Sequence, residues 1–200
     1  MSNRLLYILS ACVILLTGCR VEMATELPQK PEAPSGVRID FSGNVLLNGD
    51  ELIVEGKSNL PEDSIMFAGI KDYGKFESYP KVISWQAVED EEYAAESTGV
   101  VDEKGNFQIK LKRVNPDSRY KLEVIFNPAI QKSKIQEIYG FWGEGIAPNI
   151  GYFDFEYNEN TLSGMILSAP IVSITDPNGD GAKWNLTNIP NKSRAIKEES

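Results

Sequence analysis

The chain has 200 residues, of which 42% are hydrophobic and 24% are charged, so it can form one globular domain with a buried core. It contains no histidine, which excludes Ser-His-Asp triads, Cys-His dyads and histidine-based zinc sites. The formal net charge of -9 argues against a nucleic-acid partner, because affinity for phosphate backbones comes from lysine and arginine. The composition thus excludes histidine-dependent sites and argues against nucleic-acid binding, but it does not identify an activity.

The N-terminus has the pattern of a secretory signal. Arg4 supplies a basic start, and residues 5–16 form an apolar run shorter than the ~20 residues needed to cross a bilayer. The sequence Leu-Thr-Gly-Cys at 16–19 resembles the lipobox of bacterial lipoproteins, in which small residues precede an obligatory cysteine. An ordinary signal peptide and a short buried helix are the alternatives for this segment.

The lipobox resemblance implies a lipid anchor. Residues 1–18 would be removed as a signal peptide, and Cys19 would become the acylated first residue, with chains such as palmitate. The protein is then expected on the extracytoplasmic face of a cell membrane, in either a Gram-positive or a Gram-negative envelope. Residues 19–36 contain Pro28, Pro31 and Pro34 without apolar periodicity, which predicts a flexible spacer.

From residue 37 onward, apolar and polar residues alternate in short runs separated by turn-forming residues. Alternation with period two places one face of a strand in a core and the other in water. A short helix is expected only near 89–96. The pattern predicts an all-β fold, an antiparallel β-sandwich of about seven to nine strands over residues 37–175. We expect strands at 37–41, 51–57, 64–71, 80–88, 98–101, 106–112, 119–127 and 150–157, with further extended pieces at 134–139 and 170–174.

Two segments carry a resemblance to extracellular β domains. Residues 102–107 and 115–124 contain Gly-Asn-Phe and then Asn-Pro before Tyr-Lys-Leu-Glu-Val. They look like a hairpin that recurs in immunoglobulin-like and transthyretin-like domains. Residues 54–61, Val-Glu-Gly-Lys-Ser-Asn-Leu-Pro, resemble a strand and turn of bacterial surface lipoproteins. The resemblance implies an immunoglobulin-like sandwich at the cell surface, and it implies no activity.

Aromatic residues interleaved with glycine form a candidate ligand contact at 139–145. Tyr139, Phe141 and Trp142 offer flat faces on which a sugar or a peptide can stack. The alternative is a loop whose rings close one end of the sandwich, since aromatic side chains contribute more when they are buried.

Residues 176–181, Asp-Pro-Asn-Gly-Asp-Gly, have the oxygen ligands of a weak calcium site at Asp176, Asn178 and Asp180. Position 12 of an EF-hand loop is Thr187 here, so the bidentate carboxylate is missing, and a simple turn is the alternative. We expect no other cofactor. Residues 176–200 are polar and are predicted to form a disordered tail.

The sequence favours a non-enzymatic binding or accessory module of the cell envelope, with a protein partner that it does not identify. One alternative is a glycan hydrolase subunit that uses carboxylates such as Asp154 and Glu156, which share one face of a predicted strand turned toward water. Another is a calcium-dependent adhesion module. The acidic run 89–92 is either a cation site or a solvated loop.

Overall fold

The computed structural model describes residues 36–74, 77–157, 160–172 and 182–189, and for residues 156 and 157 it describes the backbone alone. Within these ranges, nine strands form two antiparallel sheets that pack face to face as a β-sandwich. The strands are β1 (Phe41–Asn48), β2 (Glu51–Ser58), β3 (Ile65–Asp72), β4 (Ala95–Val100), β5 (Asn106–Lys112), β6 (Tyr120–Phe126), β7 (Tyr152–Tyr157), β8 (Asn160–Ile171) and β9 (Lys183–Asn185).

The four-stranded sheet has the order β5-β2-β1-β9 and the five-stranded sheet has the order β4-β3-β6-β8-β7. The chain passes from one sheet to the other between β2 and β3 and returns between β4 and β5, as it does in sandwiches of the immunoglobulin type. The predicted all-β sandwich is therefore confirmed.

In the described ranges, the helices are short and lie between strands. They are α1 (Tyr79–Ile83), a 3-10 turn (Pro128–Ile130) and α2 (Ser133–Tyr139). Within the described ranges, no helix has both the length and the apolar character needed to cross a bilayer.

The strand directions give the sandwich two ends, which carry different loops. The chain enters β1 at the end that also holds the connections 59–64, 101–105 and 127–151, and we call this the entry end. The opposite end holds the β1–β2 hairpin, the long connection 73–94 and the connection 113–119, and we call it the far end. A ligand or membrane at one end is thus separated from the other by the length of the sandwich.

The core lies between the two sheets and is made by the alternating residues that the sequence pattern predicts. Strand β5 shows this most simply, since its seven residues alternate between exposed and buried. Residues from both sheets are fully or almost fully buried, among them Val45, Leu47, Leu52, Val54, Met66, Ile70, Ile109, Leu122, Val124, Phe126 and Ile171.

Two segments that the sequence predicts to be extended are helical. Residues 80–88 contain α1 and a loop, because Pro80 suits the first turn of a helix, where its missing N–H is not needed. Residues 134–139 belong to α2, in which Ile135 and Tyr139 are buried at the helical spacing of four. The helix predicted at 89–96 is wrong, because this segment runs irregularly into β4.

The first and last strands also differ from the prediction. The expected strand at 37–41 ends where β1 begins, and the residues Ser42-Gly43-Asn44, which are typical of turns, lie inside β1. Gly43 faces Gly56 across the strand pair, and a Cβ there would lie 2.5 Å from the Glu55 carbonyl oxygen. Glycine therefore serves the close approach of two strands at this position, and not a turn.

Residues 160–169 are part of β8, a strand that the sequence pattern did not reveal. Residues 183–185 form β9, although the sequence places them in a disordered tail. Trp184 packs against the core, and its indole N–H donates to the Val172 carbonyl at 3.0 Å. Thr187 then pairs with Ser168 in the other sheet, so this segment joins the edges of both sheets.

Candidate functional site

The entry of the chain into the sandwich is held by several hydrogen bonds. The backbone N–H of Val37 donates to the Gly145 carbonyl at 2.6 Å. The amide of Asn59 donates to the Arg38 carbonyl and accepts from the Asp40 N–H, both at 2.9 Å, as a neighbouring strand would. The segment that follows the proposed spacer therefore has a fixed position, while Cys19 itself lies outside the described residues.

The three aromatic residues predicted as ligand contacts lie on the entry end. Tyr139 and Trp142 are each only 2% exposed, and Phe141 is half-buried. Tyr139 packs edge-on against Phe126 with ring centroids 5.2 Å apart, and burial raises the pKa of its phenol. Of the three rings, Phe141 is the one that presents surface to a ligand in this conformation.

Trp142 also completes the five-stranded sheet beyond the end of β6. Its carbonyl accepts the backbone N–H of Ser163 at 2.8 Å, on the edge of β8 that β6 no longer covers. Gly143 follows with a φ of 77°, and a Cβ there would lie 2.1 Å from the Ser163 carbonyl oxygen. The glycine beside Trp142 thus allows the loop to approach the strand closely.

Asp154 of the proposed carboxylate pair lies on edge strand β7. Its side chain accepts a hydrogen bond from the Ser163 hydroxyl at 2.7 Å, and this hydroxyl accepts one from the Tyr152 phenol at 2.8 Å. Tyr152 pairs with the core residue Met165, so Asp154 lies on the same face of β7 as this core-packed tyrosine, but the Asp154 side chain itself is exposed to water. The side chain of Glu156 lies outside the described part of the chain.

The predicted calcium ligands Asp176, Asn178 and Asp180 lie outside the described residues. Elsewhere, in the ranges that the structure does describe, no three Asp, Glu, Cys or His side chains come together as a metal site would require.

A shallow groove of about 570 Å³ lies where the edges of β4 and β5 meet. Its polar residues are already bonded to one another: Gln108 donates to Glu55 at 3.0 Å, and Asp102 accepts from Asn106. Gly99 packs onto the Gln108 carbonyl, so that a Cβ there would lie 2.4 Å from the oxygen. These contacts join the two sheets at this corner.

The acidic run 89–92 lies in the connection 73–94, which folds back over the outer face of the five-stranded sheet. Lys121 of β6 donates to Glu89 at 2.6 Å, whereas Asp90, Glu91 and Glu92 are exposed. Backbone bonds from Asp90 to Asp72 and from Ala94 to Ile70 hold the same segment against β3. The exposed acids are therefore carried by a segment with a defined position.

Beneath this segment lies a charged cluster that the sequence did not reveal. Glu123 of β6 is only 5% exposed, and it accepts from the Tyr93 phenol at 2.8 Å and from Lys121 at 2.8 Å. Lys71 lies 4.0 Å from the same carboxylate. Burial raises the pKa of the Tyr93 phenol, and the charge of Glu123 raises it further. Burial alone would lower the pKa of Lys121, but the carboxylates of Glu123 and Glu89 outweigh it and raise this pKa.

Trp85 is a second feature that the sequence did not reveal, at the C-terminus of α1. Its φ is 56°, the left-handed conformation that usually belongs to glycine at this position. For a residue with a side chain this conformation costs about 1–2 kcal/mol. Its ring is half-buried, and among the described residues it belongs to neither of the two apolar clusters. No sequence signal marked it, because glycine or asparagine is the usual sign of such a helix end.

No protein-family model, no curated protein and no solved structure matches this chain.

Proposed function

We propose that this protein is an extracytoplasmic lipoprotein, a non-enzymatic β-sandwich module that is anchored by Cys19 and binds a protein of the cell envelope. The single observation that carries the proposal is the Leu-Thr-Gly-Cys lipobox at 16–19, which follows an apolar run of signal-peptide length. Support comes from the position of the sandwich, which begins directly after the predicted spacer, with Val37 paired to Ile146 and β1 starting at Phe41.

The anchor would act by burying acyl chains in the bilayer. Each buried methylene contributes about 0.8 kcal/mol, so that one chain holds a protein only marginally and two or more hold it lastingly. If residues 20–36 behave as a flexible chain, they have a root-mean-square span of about 20–25 Å. The sandwich would then remain close to the membrane and sample a limited volume above it.

Tethering at one end gives the sandwich a direction. The spacer joins the entry end, where Val37 is bonded to the loop that carries Ile146. The far end, with the connection 73–94, would then be the end presented to proteins in the envelope. Tethering raises the effective concentration of that end near a partner, so that a weak contact suffices.

The test compares two cysteine variants in cells fed an alkyne-tagged fatty acid. Cys19→Ala should abolish labelling and move the protein from the membrane fraction to the soluble fraction. Cys12→Ala is the matched control, because this cysteine lies within the apolar run and should leave labelling unchanged. Continued acylation of the Cys19→Ala protein, or loss of acylation in the Cys12→Ala protein alone, would overturn the anchor at Cys19.

The partner is sought by crosslinking the acylated protein in intact membranes. One envelope protein should be enriched with the wild type and lost with Cys19→Ala, because tethering supplies the local concentration. Equal recovery with both forms would show that the contact does not depend on the anchor.

A further inference from the structure

The C-terminus of α1 is closed by a Schellman motif. The backbone N–H of Trp85 donates to the Val82 carbonyl at 3.1 Å, and the N–H of Gln86 donates to the Lys81 carbonyl at 2.8 Å. Trp85 occupies the left-handed position of this motif. Glycine would fit the backbone better there, and the half-buried Trp85 belongs to neither apolar cluster among the described residues.

Two apolar side chains on the same segment are exposed, beside the half-buried Trp85. Ile83 is 44% exposed and Val88 is 85% exposed, and they flank Trp85 in the sequence. We call Ile83, Trp85 and Val88 the far-end apolar surface. Val82 and Ala87, which lie between and beside them, are buried in a small cluster with Tyr73 and Val172. Val82 and Ala87 thus fix the segment in place, while the three residues of the far-end apolar surface do not belong to that cluster.

Negative charge adjoins this surface. Asp90, Glu91 and Glu92 follow Val88 closely and are exposed. Glu89 differs from them, since its carboxylate is paired with Lys121 at 2.6 Å. A partner that covers the apolar residues would therefore bring its own rim against three exposed carboxylates, and cationic side chains complement that rim.

We propose that the far-end apolar surface is a docking site for a basic protein segment, in which apolar side chains cover Trp85 and neighbouring lysines or arginines face Asp90, Glu91 and Glu92. This deepens the proposed function and rests on it, because it names the contact surface of the tethered module. Tryptophan is enriched among the residues that dominate binding free energy, while charges at the rim steer association.

The probe is a synthetic peptide of alternating leucine and lysine, compared with one of alternating leucine and glutamate. Both are titrated into the purified full chain. The lysine peptide should bind, and its affinity should fall at least tenfold with Trp85→Gly. Replacing Asp90, Glu91 and Glu92 by their amides should lower the affinity and weaken its dependence on salt. Ile150→Ala is the matched control, because Ile150 is 73% exposed at the entry end, and this variant should bind as the wild type does.

Thermal unfolding of Trp85→Gly separates binding from packing. Its unfolding temperature should equal or exceed that of the wild type, because glycine relieves the left-handed conformation. A lower unfolding temperature, an unchanged affinity, or equal binding of the two peptides would overturn the proposal. The same titration with Cys19→Ala should give the wild-type affinity, so a failed anchor is distinguished from a failed docking site.

Discussion

The phenol oxygen of Tyr120 accepts the backbone N–H of Asn115 at 2.9 Å and donates to the carbonyl of the same residue at 3.1 Å. Tyr120 is the first residue of β6 and is fully buried, and Asn115 lies in the connection from β5. A tyrosine that bonds back to the backbone at this corner is a hallmark of immunoglobulin-type sandwiches. The contact fixes the point at which the chain crosses from one sheet to the other at the far end.

Tyr120→Phe should lower the free energy of unfolding by about 1–3 kcal/mol, because it removes the partner of one backbone donor and one backbone acceptor. Urea unfolding followed by circular dichroism measures the change. Tyr79→Phe is the control, since Tyr79 is only partly buried and packs beside the small cluster under α1. Equal stability of Tyr120→Phe and the wild type would show that water replaces both bonds.

Glu123→Ala should be more damaging than the loss of an exposed acid. It removes the carboxylate that Lys121, Lys71 and the Tyr93 phenol share, and breaking a buried pair costs about 3–5 kcal/mol. Lys121 keeps its bond to Glu89, so we expect a loss near the lower end of this range. The matched variant is Glu51→Ala, which removes a cross-strand pair with Lys110 whose members are 40% and 55% exposed. Exposed pairs contribute about 0–1 kcal/mol. Urea unfolding of both variants gives the comparison, and similar losses for the two would contradict a buried role for Glu123.

Gly69→Ala should displace the segment that covers the five-stranded sheet. A Cβ at Gly69 would lie 2.4 Å from the ring of Tyr93, so the ring must move and its bond to Glu123 must break. Overpacking of this kind costs about 1–3 kcal/mol. In a Tyr93→Ala background the same change should cost much less, because the clash is gone. The double-mutant cycle measures this coupling, and additive effects would refute the contact.

Stability should fall as the pH rises above about 10. Burial raises the pKa values of Tyr73, Tyr93, Tyr120 and Tyr139 in the fold, whereas a tyrosine in the unfolded chain has a pKa of about 10. As the pH rises through about 10, the tyrosines of the unfolded chain lose their protons before those of the folded protein do. The free energy of unfolding is therefore unaffected below this pH and decreases above it. Each such tyrosine contributes up to about 1.4 kcal/mol per pH unit.

Urea unfolding at several pH values between neutral and alkaline measures this decline, and absorbance of the phenolate should appear together with unfolding. Tyr139→Phe should reduce the slope, since it removes one of the four groups. Phenolate absorbance that rises at about pH 10 in the folded protein would contradict the buried positions of these tyrosines.

Much of the sandwich follows from local pattern. The predicted ranges 51–57, 106–112 and 119–127 coincide closely with β2, β5 and β6, because strict alternation has one solution when one face must be buried. The turns at 48–50 and 102–105 also follow from local sequence, since glycine and aspartate or asparagine side chains favour tight turns. The hydrophobic pattern wrongly predicted extended structure at α1 and α2, because five and seven residues are too few to show a helical periodicity.

The candidate sites were harder to predict from the sequence than the strands, because they depend on contacts between residues far apart in the chain. Alternation in β6 predicts that Glu123 faces away from the core, as it does, but only the connection 73–94 decides that this outer face is covered. Trp142 and Tyr139 appear as candidate ligand contacts in the sequence, yet their packing on β8 and on Phe126 buries them. Trp85 was identified only by its left-handed backbone conformation, and no neighbouring residue in the sequence predicts that conformation.

The sequence by itself determined the class of fold and most of the strands, because alternation and turn residues act locally along the chain. It also contains the Leu-Thr-Gly-Cys sequence at 16–19, whose resemblance to a lipobox leads to the proposed anchor at Cys19. Only the tertiary structure decided how the connection 73–94 covers the outer face of the five-stranded sheet and how residues 183–187 join the two sheets. It also decided which aromatic side chains are buried. These outcomes depend on contacts between residues far apart in the chain, whose free energy appears only when both partners are brought together.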